Sequence, residues 1–211
     1  MRRMALNAAL AAVGLAAGLA VWLAPLGANA CGLEDCAYGG LDSCYNLTWY
    51  HWCQLTYGYN PPYGHWTSVN TYNHTRYGAV EDAWIEWNAP PNGPTNSLYL
   101  NTDGINNSSH DVDYWETSST DWWWGETSFP GGADANGCVY RGGGMVVLNT
   151  YQISGSYTWQ LWVAEHETGH AVGIGHVCGC SQGRVMNPCT ECTYPAELSY
   201  CDGLAAHARY Q

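Results

Sequence analysis

The chain has 211 residues, 46% of them hydrophobic and only 11% charged; six arginines and no lysine face eighteen acidic residues, for a formal charge of −12. Phosphate binding needs a basic footprint, so this balance excludes nucleic acid as a partner and disfavours anionic membrane surfaces. Ten cysteines and twelve tryptophans are the other departures from an average composition.

In chain order, Arg2 and Arg3 come first, then an alanine- and leucine-rich stretch to about Pro25, then a small-residue end at Ala28, Asn29 and Ala30. A charged start, an apolar middle and an AxA-type end read as a secretory signal over residues 1–30, cleaved after Ala30. An uncleaved anchor, a lipoprotein start at Cys31 and a twin-arginine route are the alternatives these residues leave open. The expectation is a secreted, extracellular, monomeric protein over residues 31–211, with no stable membrane association after cleavage. Its 181 residues carry four arginines against eighteen acids, a formal −14, and suit one domain.

All ten cysteines follow Ala30, an even number in an exported chain, so disulfides are expected. Cys31, Cys36, Cys44 and Cys53 form one group, Cys178, Cys180, Cys189, Cys192 and Cys201 another, and Cys138 stands between them. If all pair, at least one bridge leaves the C-terminal group. A structural zinc on Cys178, Cys180, Cys189 and Cys192 is the competing reading, less suited to an oxidising compartment.

Residues 31–46, rich in cysteine and glycine, read as a stapled loop. Leu47 to Tyr57, aromatic and threonine-rich, reads as a strand. Asn60 to Arg76 carries Pro61, Pro62 and Gly64 without periodicity and reads as a loop. From Tyr77 to Asn88 the residues Val80, Ala83, Trp84 and Trp87 recur at helical spacing, and Pro90 and Pro91 end that helix. Leu98 to Asn101, Val112 to Glu116 and Met145 to Asn149 read as short strands. Trp122 to Glu126 reads as a further strand near an edge. Trp122, Trp123 and Trp124 cannot all face one core from a strand, because side chains alternate, so at least one is exposed. Trp49, Trp52, Trp84, Trp87, Trp159 and Trp162 fit core positions better. A helix is expected from Tyr157 to Gly173 and a last one from Cys201 to Tyr210.

The penultimate of these helices carries the chemistry. Its segment His166 to His176 reads HETGHAVGIGH. Residues four apart share a helix face, so His166 and His170 aim their imidazoles at one point. Zinc in a hydrolytic site takes three protein ligands and keeps a position for water, and His176 can supply the third. Gly173 can take positive φ, stop the helix and swing the chain back. Glu167 points away from His166 and is better placed as general base than as ligand, taking a proton from water and passing it to the leaving amine.

HExxHxxGxxH followed by Val185, Met186, Asn187 and Pro188 resembles the metzincin zinc endopeptidases. That resemblance implies a metzincin fold: α+β, with a small twisted mixed sheet and an active-site helix in residues 31–176. It also implies a C-terminal subdomain in 177–211 with a Met-turn, at Met186, and a final helix. Leu198, Ser199, Asp202 and Tyr210, with the lead-in VAEHETGH, are similar to the matrixins; Cys201 stands where a second acidic residue is usual. Pro188 occupies a position at which some other metzincins carry a tyrosine. The resemblance further implies that an edge strand, expected within Asp121 to Thr127, pairs with extended peptide substrate.

Cys31 and Gly32 match only the Cys-Gly core of a matrixin latency motif, and no large prodomain is expected. His110, Asp111 and Asp113 lack the further histidine that a second, structural zinc would need. Calcium on loop acids such as Asp103 or Asp134 is possible but unsupported by spacing. His51, His65, His74 and His207 read as surface or packing residues. The functional expectation is a zinc metalloendopeptidase acting on protein or peptide. A secreted binding module with a structural zinc, and a zinc amidase acting on a non-protein substrate, are the rivals.

Overall fold

The computed structural model describes residues 46–48, 51–52, 66–70, 77–91, 93, 99–101, 112–135, 137–139, 143–177, 184–187 and 197–209. The expected signal (1–30), the stapled loop up to residue 45, His65, His74, Asp103, His110, Asp111, Pro188 and Tyr210 lie outside them. Among the described residues no helix is long and apolar enough to cross a membrane.

The architecture is mixed α/β, with three helices and a small mixed sheet. Val112, Tyr114, Val146 and Leu148 are buried while their chain neighbours Asp113, Trp115, Met145 and Val147 are more open. That period of two builds β5 (Val112–Thr117) and β8 (Gly144–Asn149), which pair in parallel at the centre of the sheet. β3 (Trp66–Asn70) and β4 (Tyr99–Asn101) extend it in parallel on one side, and β6 (Gly125–Ser128) closes the other side antiparallel. The strand order is β4-β3-β5-β8-β6, with β6 at an edge.

α1 (Tyr77–Asn88) has the bounds its spacing predicts, and Val80, Ala83, Trp84 and Trp87 are all buried. It packs on α2 (Tyr157–Ala171), and both cover the Tyr114 face of the sheet. Trp84 meets the Tyr114 ring edge-on, and the Tyr114 hydroxyl lies 2.6 Å from Thr168 Oγ1. The indole of Trp87 donates to the Glu165 carbonyl at 2.8 Å, and that of Trp52 to the Ala171 carbonyl at 2.9 Å. Tryptophans thus fill the core and also satisfy helix carbonyls from the side.

Three sequence expectations are corrected. Leu47 to Tyr57 is not one strand where it is described: β1 (Asn46–Leu47) pairs antiparallel with β9 (Ile174–Gly175), and β2 (His51–Trp52) pairs in parallel with β7 (Cys138–Val139). Thr48 ends β1 by giving its N–H and its hydroxyl to the Gly173 carbonyl, at 3.0 and 2.9 Å. The expected loop Asn60 to Arg76 contains β3. Its Trp, Thr and Val suit a strand, but five residues paired only with distant parallel neighbours leave no periodicity to read.

The edge strand, too, starts later than expected, at Gly125 rather than Trp122. Asn149 pins the preceding stretch with its backbone and its side chain. Its backbone N–H donates to the Trp124 carbonyl at 2.8 Å and its side-chain amide to the Trp123 carbonyl at 2.9 Å. The three tryptophans therefore sit in a pinned loop. Trp122 is 41% exposed there, while Trp124 meets Trp159 edge-on at 4.8 Å and Trp159 stacks on Trp162.

Ser199 and Asp202 begin the last helix, α3 (Tyr200–Arg209), as a reciprocal cap. The Ser199 hydroxyl accepts from the Asp202 N–H at 3.3 Å, and the Asp202 carboxylate accepts from the Ser199 N–H at 3.0 Å. Cys201 in this helix is disulfide-bonded. The side chains of the other nine cysteines lie outside the described residues.

Candidate metal centre

Ser156 caps α2, its hydroxyl accepting from the Trp159 N–H at 3.2 Å in an extended conformation. From Trp162 to Ala171 every residue is buried. A helix buried all round is ordinarily apolar, yet this one carries Glu165, His166, Glu167, Thr168 and His170 inside. Each of these groups needs a partner or a purpose.

Val172 is the last helical cap and Gly173 follows with φ +85°, a conformation that side chains oppose. The chain reverses there and β9 brings His176 back to the helix. The three imidazoles converge: His176 Nε2 lies 2.9 Å from His170 Nε2 and 3.2 Å from His166 Nε2. His166, His170 and His176 are close enough together to hold a metal ion, and no other such group occurs among the described residues.

The hydrogen bonds at the far ring nitrogens define the chemistry of this convergence. His166 Nδ1 donates to the Val185 carbonyl at 2.7 Å and His170 Nδ1 to the Ile174 carbonyl at 2.8 Å. A carbonyl oxygen can only accept, so each Nδ1 carries the proton and each neutral ring presents an Nε2 lone pair. Burial and the neighbouring His170 hold His166 down to about 3, and burial takes His170 to about 4. Burial and both other histidines push His176 well below its ordinary value. His166 and His170 thus turn lone pairs toward His176 Nε2, and the donor set fits a metal, with the outer hydrogen bonds of its two helical histidines already made.

Val185 belongs to a turn over Arg184–Asn187, closed by the Asn187 N–H donating to the Arg184 carbonyl at 3.3 Å. Met186 is fully buried in it and lies against Gly169, where an added Cβ would overlap its sulfur and come within 2.8 Å of Trp87. Gly169 thus admits the methionine to the helix surface between the two helical histidines. Asp202 accepts from the Val185 N–H at 3.2 Å, so the cap of α3 also anchors the turn that orients His166. Burial raises the Asp202 carboxyl above its ordinary value, against the pull of its Ser199 and Val185 donors.

Glu167 is buried beside this centre. The Thr127 hydroxyl donates to its Oε2 at 2.7 Å, and burial, with a smaller push from Glu126, raises its pKa to about 7 against that hydrogen bond. A cavity of ≈ 20 Å³, room for about one water, opens between Trp123, Trp124 and Gly125 on the edge side and Trp162, Val163, His166 and Glu167 on α2. Gly125 and Thr127 were not singled out by their sequence; nothing local marks them, because their contact to Glu167 spans 40 residues for Thr127. The Ser199-x-x-Asp202 cap, by contrast, is a pattern visible in the residues themselves. Asp134 belongs to a turn, its carbonyl accepting from the Gly137 N–H at 2.9 Å. Compared with known proteins, the chain matches no family model and no curated sequence.

Proposed function

We propose that this chain is a secreted, zinc-dependent endopeptidase of metzincin type, most like the matrixins. The observation that carries the reading is the convergence of three buried or half-buried imidazoles on one point, with a buried, hydrogen-bonded carboxyl one residue from the first of them. At zinc–nitrogen bonds of about 2.0–2.1 Å a tetrahedral centre sets its nitrogens about 3.3 Å apart. The 3.2 and 2.9 Å separations among these histidines need only a small expansion. Zinc held there would lower the pKa of a water to about 7 and polarise a substrate carbonyl.

His166, His170 and His176 are the ligands in this reading, and Met186 packs beneath them. Glu167 takes a proton from the attacking water as the water oxygen bonds to the carbonyl carbon. It then gives that proton to the amine nitrogen as the C–N bond breaks. The edge position of β6 supports binding of an extended peptide by strand addition.

The exported protein, incubated with an unfolded reporter protein, is expected to cut internal peptide bonds. A chelator should stop the cleavage and added zinc restore it. No cleavage, or cleavage indifferent to chelator, overturns the reading; the first outcome with zinc still bound returns the chain to the binding module or to the non-peptide amidase.

A further inference from the structure

β6 has one buried residue. Its pattern leaves Gly125 and Ser128 half-buried and Glu126 exposed, while Thr127 is 4% exposed. Gly125 and Thr127 are two apart and share the face turned to α2. A valine would fill the position of Thr127 equally well by volume, yet a hydroxyl stands there, and a buried hydroxyl must be satisfied. Both of its hydrogen-bond contacts go to one residue: Glu167 Oε2 at 2.7 Å and the Glu167 main-chain carbonyl at 2.9 Å. The one hydrogen of the hydroxyl is shared between two oxygens of the same residue, so Thr127 holds the tip of the glutamate beside its own backbone.

Gly125 bounds that position from the other side. A Cβ there would fall 2.6 Å from Glu167 Cγ and 2.8 Å from Oε1, which only a glycine avoids without displacing the carboxyl. One carboxyl oxygen thus rests against bare backbone and the other against a donor. The register of β6 on β8, with Thr127 opposite Val146, sets both contacts. Trp162 and Val163 line the space on the helix side.

We infer that Thr127 is the positioning residue for Glu167, its hydroxyl fixing the carboxyl in the cavity it shares with His166, and Gly125 providing the room. The inference rests on the reading of Glu167 as the base. A positioned base acts on turnover and not on binding, and misplacing a reacting group by about 1 Å costs on the order of 100-fold. The edge strand proposed to hold substrate therefore also aims the group that acts on it.

The test uses Thr127→Val and Thr127→Ser in the exported protein, with a quenched peptide built on a bond found cleaved in the unfolded reporter. Thr127→Val should lower kcat about 10- to 100-fold at unchanged KM, bound zinc and Tm, and Thr127→Ser should return kcat to near the parent. Parental kcat in Thr127→Val, an equally slow Thr127→Ser, or a loss confined to KM or zinc content overturns the inference. If the valine variant does not fold, Thr127→Ala against Thr127→Ser decides by the same criteria. Glu167→Gln, run in parallel, separates the two levels. An active Glu167→Gln removes the underlying reading, whereas an inactive one beside a fully active Thr127→Val removes only the role of Thr127.

Discussion

Two glutamates lie two residues apart on α2, both buried, and its two flanks treat them differently. Glu167 faces β6, where a hydroxyl donor holds it and its pKa is raised to about 7. Glu165 faces Glu86 of α1; among the described residues no donor reaches either of its oxygens, and burial, then the neighbouring Glu86, raise it to about 10. Glu86 is itself a carboxyl, accepting from the Leu198 N–H at 3.3 Å, so Glu165 can meet it only by keeping its own proton. Burial beside another carboxyl makes a carboxyl a neutral packing group. Burial with one donor makes it a group that can still change state at working pH.

The largest expected effect comes from removing the carboxyl of Glu167. Glu167→Ala should lower peptide hydrolysis by about 1,000-fold or more while zinc content, read by metal analysis, stays at the parental level. Retained, chelator-sensitive activity would show that the two glutamates do not differ in the way described. Next in size is loss of a ligand. His170→Ala should release the metal and abolish the stabilisation that zinc gives the parent, which for a metal at 100 times its Kd is about 2.7 kcal/mol. Thermal unfolding with and without chelator reads it, and a chelator shift as large in the variant as in the parent would argue against His170 as a ligand.

On the other flank the prediction concerns pH. The folded pKa of Glu165, about 10, exceeds its ordinary 4.5. The folded chain therefore keeps a proton that the unfolded chain releases, and its contribution to stability is complete below pH 4.5 and declines as pH rises toward 10. Glu165→Gln keeps the shape without the titration. It should flatten that decline and stabilise the protein by about 1–3 kcal/mol above pH 8, as read by denaturant unfolding across pH. A parallel decline in parent and variant would mean that Glu165 is ionised in the fold. Smallest is the cap: Ser199→Ala should cost about 1 kcal/mol, lowering Tm by a few degrees with little change in kcat. A loss of activity larger than the loss of stability would show that the cap acts on the metal centre through Val185.

The comparison also marks the boundary of what the sequence discloses. His166, His170 and His176 are legible because helical spacing and a glycine turn are local rules, and α1 is legible to its end residues for the same reason. The difference between Glu165 and Glu167 is not. It depends on a hydroxyl 40 positions before Glu167 and a carboxyl 79 positions before Glu165, brought together by sheet register and helix packing. β3 was hidden for a related cause, since its partners lie in distant parallel strands. The tryptophan run misleads in another way. Its composition suits a strand, but the amide of Asn149 holds it as a loop.

The carbonyl of Gly173 accepts the N–H and hydroxyl of Thr48, 125 residues away, and Nη2 of Arg209, 36 residues away, at 3.1 Å. Arg209 Nη2 also bonds the Thr48 carbonyl. Three remote stretches of chain thus meet at a single oxygen, three residues before the histidine that completes the centre. Long-range closures of this kind are slow, because loop entropy is lost before the contact forms. The helix places two of the histidines by its own spacing, whereas the third depends on a turn held by these distant contacts. A change at Thr48 or Arg209 therefore reaches His176 without touching it.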